Sequence, residues 1–465
     1  MINSYKLLTV AGVSTLVASH ALADLDNIYS GQTSLQSTTG AAILVVCPQL
    51  AGLQTRDPLQ QDLFDRCREM VHGANALDGT GASADSIGLS AEELSSALQQ
   101  VAGEEIASQG SFATEVANGQ FANIGTRLSS LLRATSGGGA TANVSGGNYF
   151  GAGRPYGGAA QAGAEVELGG RLGVFVRGQV GFGEKDPTPQ EDAFELDTSG
   201  LSFGIDYRFT DRLVLGLGLG YDNFDSDFDR TATVAGGEVE ADGLSLSAYS
   251  LLHTGKVYVN GIISTGSLDY EMARRVFYQP GTGATGTGAN GGADRTLTSE
   301  TESDQLAAAL TVGWDIYRGN FNWSPYLRIN YLDVDVDPFV ENDPVGGLAL
   351  AFDKQTIESV QAVVGAQFTW TLSRNFGIMS PYLRAELHHE TSDDARNIAT
   401  RYANDPFSST LLVRTDDPDE NFASLGLGIA FVYRNGSQFF VDFDSLAGLD
   451  EVSYSVLTLG FRGEF

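Results

Sequence analysis

The chain has 465 residues, with 27 Lys and Arg against 58 Asp and Glu, a formal net charge of −31. That balance excludes nucleic-acid binding, because a phosphate backbone requires a basic face. Gly numbers 57, Tyr 17 and Phe 25, and 42% of residues are hydrophobic. No stretch after residue 23 has the ~18 consecutive apolar residues of a membrane helix, which leaves a soluble β-rich protein or a transmembrane β-barrel.

In chain order, Lys6 supplies a short positive region, Leu7 to Ala18 an apolar run, and Ala21-Leu22-Ala23 a small-residue cleavage pattern. Together they read as a secretory signal peptide, residues 1–23. Cys47 and Cys67 follow in the exported chain, and an oxidising compartment favours their pairing as a disulfide. Between them Asp57 and Pro58 suit an N-cap and first helical residue, with Leu59, Leu63, Phe64, Cys67, Met70 and Val71 at helical spacing. Metal binding at the cysteines has only His72 nearby as a further ligand and is discounted. Ser90 to Glu93 is a capping box, followed by Leu94, Leu98, Val101 and Ala102 on one face.

A helical pattern spans 112–133, with Phe112, Val116, Ile124, Leu128, Leu131 and Leu132 opposed by Glu115, Asn118, Gln120, Asn123, Thr126 and Arg127. At 1.5 Å per residue this is ~33 Å, close to a bilayer core. Its face is too polar for lipid but suits a polar channel. A Gly-rich link (134–169) follows.

From about 170 the period becomes two. Leu213, Leu215, Leu217, Leu219 and Tyr221 alternate with Gly216, Gly218 and Gly220; Leu306, Leu310, Val312 and Trp314 with Gln305, Thr311, Gly313 and Asp315; Leu425, Leu427, Ile429 and Phe431 with Ser424, Gly426 and Gly428. One face apolar and aromatic, the other polar or small, is the division between lipid and lumen. Tight connections (209–212, 253–256, 317–320, 372–375, 433–436) alternate with mostly longer polar stretches (184–192, 227–240, 271–298, 337–351, 391–418, and a shorter one at 445–450), as periplasmic turns and outer loops should. Twelve strands are expected, starting near 170, 193, 212, 240, 256, 299, 321, 352, 375, 419, 436 and 451. The expected fold is mainly β: a twelve-stranded antiparallel transmembrane barrel over 170–465 with an α-helix in its lumen, preceded by a small helical domain at 24–111.

Leu457, Leu459, Phe461 and the terminal Phe465 share one face of the last strand, an assembly signal of the kind read by outer-membrane barrel machinery. With this ending, the segments GVFVRGQVGFGEKD (173–186), DTSGLSFGIDYRFTDRLVLGLGLGYDNFDSDFD (197–229) and YSVLTLGFRGEF (454–465) resemble the first and last strands of type V autotransporters. The helix NIGTRLSSLLR (123–133), with Asn123, Arg127, Leu128 and Leu131, resembles their pore helix. The resemblance covers roughly 112–465 and implies a bacterial outer-membrane barrel whose preceding segment is carried outward. The family's usual passenger is a long β-helix with its own activity; here only 24–111 precedes the helix, so those activities do not transfer. Self-cleaving members cut beside an Asn pair, whereas Asn118 and Asn123 each stand alone, so an uncleaved protein is expected.

In the lumen Arg127 and Glu115 would meet inward groups, among them Asp315, Arg328, Glu386 and Asp442, since a cation in a low-dielectric barrel needs a partner. Gly216, Gly218, Gly220 and Gly313 are expected to leave room for the helix. His388-His389-Glu390 with Asp393 and Asp394 could place a rim base, but no partner pair or nucleophile is legible opposite it. The G-x-G-x-x-G at Gly281 to Gly286 lacks a strand-to-helix unit and is not a dinucleotide site. Asp225, Asp227 and Asp229 fail the EF-hand pattern at Arg230 and Gly236. No cofactor or metal is expected. The reading is therefore an anchor for its own N-terminal domain, with translocation of that domain left open. The alternatives are a porin-like channel gated by the N-terminal segment, or a rim protease. Expected partners are outer-membrane lipids and, during biogenesis, the Sec translocon and the barrel assembly machinery, with a monomeric barrel.

Overall fold

The computed structural model describes residues 25–28, 31–103, 105–106, 171–228, 236–392 and 395–464. The signal peptide, the 112–133 helix, the Gly-rich link, Asp393, Asp394 and Phe465 lie outside the described residues.

Twelve strands form one closed antiparallel barrel: β1 Leu172–Lys185, β2 Phe194–Thr210, β3 Leu213–Phe228, β4 Gly237–Thr254, β5 Val257–Tyr278, β6 Ala293–Trp314, β7 Phe321–Val336, β8 Gln355–Trp370, β9 Gly377–Glu390, β10 Asn421–Tyr433, β11 Gln438–Ala447 and β12 Val452–Glu464. Closure is made by β1 against β12, in register from Gly173 opposite Glu464 to Lys185 opposite Val452. Starts fall within three residues of expectation except for β6, which begins at Ala293 rather than near 299.

The strands are not equally tall. β5 and β6 have 22 residues each, whereas β11 has 10. At ~3.3 Å per residue and a ~40° tilt, 22 residues rise roughly 55 Å, about twice a ~25 Å apolar band. The excess lies at the long-loop end, where β2 to β8 stand as a wall above the band. There the alternation reverses. Low in the wall Leu201, Phe203, Ile205, Leu217, Leu219, Leu244, Leu246, Leu306 and Leu310 point outward and are exposed. Higher up Phe194, Leu196, Phe224, Phe228, Val239, Leu268, Tyr270, Met272 and Leu297 point inward and are buried, while their neighbours Glu195, Asp197, Asp225, Asp227, Glu238, Glu240, Asp269 and Glu271 face out. The strands keep their pleat; only the identity of the greasy face changes. Below, lipid is outside; above, protein is inside and water outside. The two ends of the 271–298 stretch, expected as loop, are therefore strand, up to Tyr278 and from Ala293, because their outward carboxylates belong to a wetted wall.

That upper inner surface packs on three helices: α1 Ser34–Ala51, α2 Pro58–Asp78 and α3 Ala91–Gln100. α2 starts with the expected Asp57 cap and Pro58, closed by a capping box to Gln60. α3 starts with the Ser90–Glu93 box, and Leu94, Leu98, Val101 and Ala102 are buried on its inner side. α1 also opens on a capping box, Thr33 with Gln36, but its Thr, Gly and β-branched residues are poor helix formers, so packing holds the rest of it. At Gly40 a Cβ would sit 2.1 Å from the Leu25 carbonyl oxygen, so only glycine lets the chain cross there. Cys47 and Cys67 are joined, tying α1 to α2. Helix and barrel side chains form one continuous apolar core, with Leu50, Met70, Ile87, Leu98, Tyr270, Val276 and Phe352 among its members.

The loops after β7 and β9, expected as polar stretches, also contain a four-stranded sheet: Phe339–Val340, Leu350–Phe352, Asn397–Tyr402 and Leu411–Arg414. Its buried face (Phe339, Leu350, Phe352, Ile398, Tyr402, Val413) completes the core over the helices, and α1 packs along the Leu411–Arg414 strand. Its strands are two to six residues long, too short to announce themselves by periodicity.

Candidate functional site

The long-loop mouth of the barrel, closed by the helical domain, is the feature on which function turns. Its edges are fixed by glycine and by charge. The loop between β5 and β6 lies backbone to backbone against 86–89: the Gly281 N–H donates to the Ile87 carbonyl at 2.9 Å and the Thr285 N–H to that of Ser86 at 2.8 Å. A Cβ on Gly281 would stand 2.0 Å from the Gly88 carbonyl oxygen. The G-x-G-x-x-G letters thus serve close approach of two chain segments.

Ion pairs flank this seam. Arg295 of β6 donates from Nη1 and Nη2 to both oxygens of Asp62 on α2, at 2.6 and 2.7 Å, and from Nη1 to Asp343 at 3.0 Å. Burial alone would raise Asp62, but Arg295 and the Gly347 N–H hold it below the ordinary carboxylate value. Arg274 of β5 forks onto Glu341, at 2.8 and 2.5 Å, and also donates to the Gln100 carbonyl at 2.7 Å. Gln36 donates to Gln99 at 2.7 Å, and Gln99 to Asp192 at 2.5 Å. Two turns beyond Asp62 lies Glu69, bonded to Arg66 at 2.9 Å and to the Gly292 N–H at 3.2 Å.

Below the mouth the lumen wall carries a polar network. Arg328 is bidentate to Glu386, at 2.9 and 2.7 Å, and the Tyr326 hydroxyl also donates to Glu386. Arg384 pairs with Asp442 at 3.0 Å and with Asp444. Asp315 accepts from Ser324 at 2.5 Å and Asn322 at 3.1 Å, with His253 at 3.7 Å. Asp315, Arg328, Glu386 and Asp442 all meet partners on the wall itself. Glu115, Asn123, Arg127, Leu128 and Leu131, their expected counterparts, lie outside the described residues.

Two of the four lumenal glycines, Gly216 and Gly313, lie against aromatic rings. Gly216 faces the Tyr249 ring and Gly313 the Tyr258 ring; a Cβ at either would come within 2.1 and 2.3 Å of ring carbon. Gly365 with Tyr326 and Gly428 with Tyr382 repeat the arrangement. Gly216, Gly313, Gly365 and Gly428 are sockets for aromatics of neighbouring strands. Each aromatic partner sits on a neighbouring strand, beyond what the period of a single strand can signal.

At the rim, His388 points in and His389 out. His388 Nε2 meets both Ser424 Oγ at 3.3 Å and Glu386 Oε2 at 3.2 Å, and Nδ1 has no hydrogen-bond partner among the described residues. A Ser–His–acid relay needs the acid on the opposite ring nitrogen from the serine, so this cluster lacks the relay's geometry. Two acidic groups, Asp225 with Glu238 and Glu240, and Asp419 with Asp450 and Glu451, bring carboxylates within reach of a shared cation; exposed acids commonly gather so. On β12, Leu457, Leu459 and Phe461 face outward as expected.

The described fold resembles solved outer-membrane barrels. The translocator domain of autotransporter NalP from Neisseria meningitidis is 16% identical, covering 64% of this chain and 90% of that one, with a TM-score of 0.48. The β domain of the Bordetella autotransporter BrkA is also 16% identical (63% and 100% covered, TM-score 0.42), and the transport unit of AIDA-I from Escherichia coli 13% (64% and 92%, TM-score 0.42). No curated protein matches. The model of the family described as the autotransporter beta-domain matches residues 174–444, more than half the chain. Such domains are bacterial outer-membrane barrels for secretion of a passenger, and this chain belongs to the autotransporter β-domain family.

Proposed function

We propose that the barrel (170–465) carries residues 24–111 to the cell surface and keeps them there as a docked, uncleaved helical domain. The observation supporting this reading is one of sides. β1 begins at the short-turn end, where Leu172 lies beside Tyr207 of β2 near the turn into β3, whereas α1, α2 and α3 pack at the long-loop end. Long loops face the exterior in such barrels, so the domain and the first strand lie on opposite sides of the apolar band. Passage of the intervening chain through the lumen, with the 112–133 helix in the pore and Arg127 among the wall charges, would join them. Export through Sec after removal of 1–23, and insertion by the barrel assembly machinery, complete the route. No catalytic role is assigned, because His388 holds acid and hydroxyl on one nitrogen.

The test is protease shaving of intact cells, followed with antibody against 24–106. Loss of the epitope without lysis is expected; protection until the outer membrane is opened would refute the reading. The covering of the mouth by α1–α3 favours a second reading, a gated channel. Single-channel recording separates the two: the channel reading expects steady current once 31–103 are deleted, the anchor reading little.

A further inference from the structure

Among the carboxylates that line the seam between the helical domain and the barrel mouth, most meet a barrel arginine. Asp62 and Asp343 share Arg295, and Glu341 holds Arg274. Glu69 differs. Its side chain is 3% exposed, and Arg66, the cation bonded to it, comes from its own helix. From the barrel it receives the Gly292 N–H, with the Gly291 backbone so near that a Cβ there would stand 2.4 Å from the carboxyl carbon. Docking therefore strips water from this group while, among the described residues, no barrel cation is bonded to it, which favours the neutral carboxyl.

We infer that the docked domain is a lid whose grip on the barrel mouth tightens in mild acid and slackens in mild alkali, with Glu69 as the sensing group; this rests on reading α1–α3 as a domain docked on the outer mouth. The groups acting on Glu69 are Asp62, Asp65 and Arg66 on α2 and Tyr278 on β5, while Arg295 of β6 is engaged with Asp62 and with Asp343 in the loop after β7. Burial pushes Glu69 up to about 7 from its ordinary 4.5, against the pull of Arg66 and the Gly292 N–H. The sign follows from linkage. The docked state keeps a proton that the undocked state gives up between pH 4.5 and 7, so docking is strongest below that window and weakens as pH rises through it. Glu105, beside Arg274, Asp192 and Glu341, is pushed by burial up to about 8 and acts in the same sense. His72, which burial holds below its ordinary value, acts in the opposite sense.

The test uses the full chain refolded in detergent with its native disulfide, and spin labels on cysteines replacing Leu77 and Val345, both exposed. Urea is titrated until the inter-label distance of the docked state is lost, and the docking constant is extrapolated to water. Glu69 alone makes that constant about thirty-fold larger at pH 5.5 than at pH 8.5. Glu69→Gln is expected to remove that thirty-fold, leaving the part due to Glu105. Equal constants at both pH values in the unsubstituted protein would overturn the lid, as would an undiminished pH response in Glu69→Gln. The unsubstituted arm stands even where the variant does not dock. A long distance at every pH would instead refute the docking on which the inference rests.

Discussion

Arg295→Ala removes the one guanidinium that holds Asp62 of the helical domain and Asp343 of the mouth together. Stripping one partner from a buried pair costs about 3–5 kcal/mol, because the remaining charge stays desolvated. Here the low end applies. Asp62 is 21% exposed and regains water, and Asp343, with no exposed side-chain surface, keeps the Leu348 and Val345 N–H groups. About 3 kcal/mol corresponds to roughly a 150-fold loss in the docking constant. The inter-label distance between positions 77 and 345, followed in urea at pH 7, measures it directly. Asp62→Ala and the double variant complete a cycle, in which the two losses are expected to fall short of additivity by about 1 kcal/mol or more. A loss under about tenfold for Arg295→Ala, or additive losses in the cycle, would refute the claim that charge pairing fixes the seam.

Further outcomes follow from the same contacts. Gly313→Leu drives a side chain into the Tyr258 ring and should destabilise the barrel by about 1–3 kcal/mol, read as a lower temperature for loss of the folded band on unboiled gels; an unchanged temperature would dismiss the socket. Leu98→Ala, at a fully buried position, should cost about 2–5 kcal/mol in the helical domain, visible as earlier loss of helical ellipticity in urea while the barrel persists. On the outer wall Asp197, Asp225, Glu240, Glu271 and Glu300 lie directly opposite one another across five strands. Like charges in that position repel, so Glu240→Gln should stabilise the wall by a few tenths of a kcal/mol in low salt and do nothing in high salt; destabilisation in low salt would contradict the repulsion.

The lower barrel was legible residue by residue. Where lipid bounds one face and a polar lumen the other, Leu215, Leu217 and Leu219 must alternate with Gly216 and Gly218, and the turns at 209–212 and 253–256 must be short. Strand number and register sense came from that constraint alone. The helix starts at Asp57 and Ser90 were equally local, because a cap is satisfied within four residues. One signal for the mouth was present and unread: from Leu201 back to Phe194, and from Leu219 on to Phe228, the apolar residues change parity within a continuous strand. That change marks where the nonpolar surroundings pass from lipid outside to protein inside.

The tertiary structure decided what lies against that inner face. The packing of α1, the four-stranded sheet in the outer loops, the pairing of Arg295 with Asp62 across 233 residues, and the aromatic filling of the glycine sockets all depend on groups distant in sequence. Periodicity reports the medium on each side of a strand, because every residue of the strand meets that medium. It cannot report which other segment supplies the medium, because that partner is brought up only by closure of the barrel and docking of the helices.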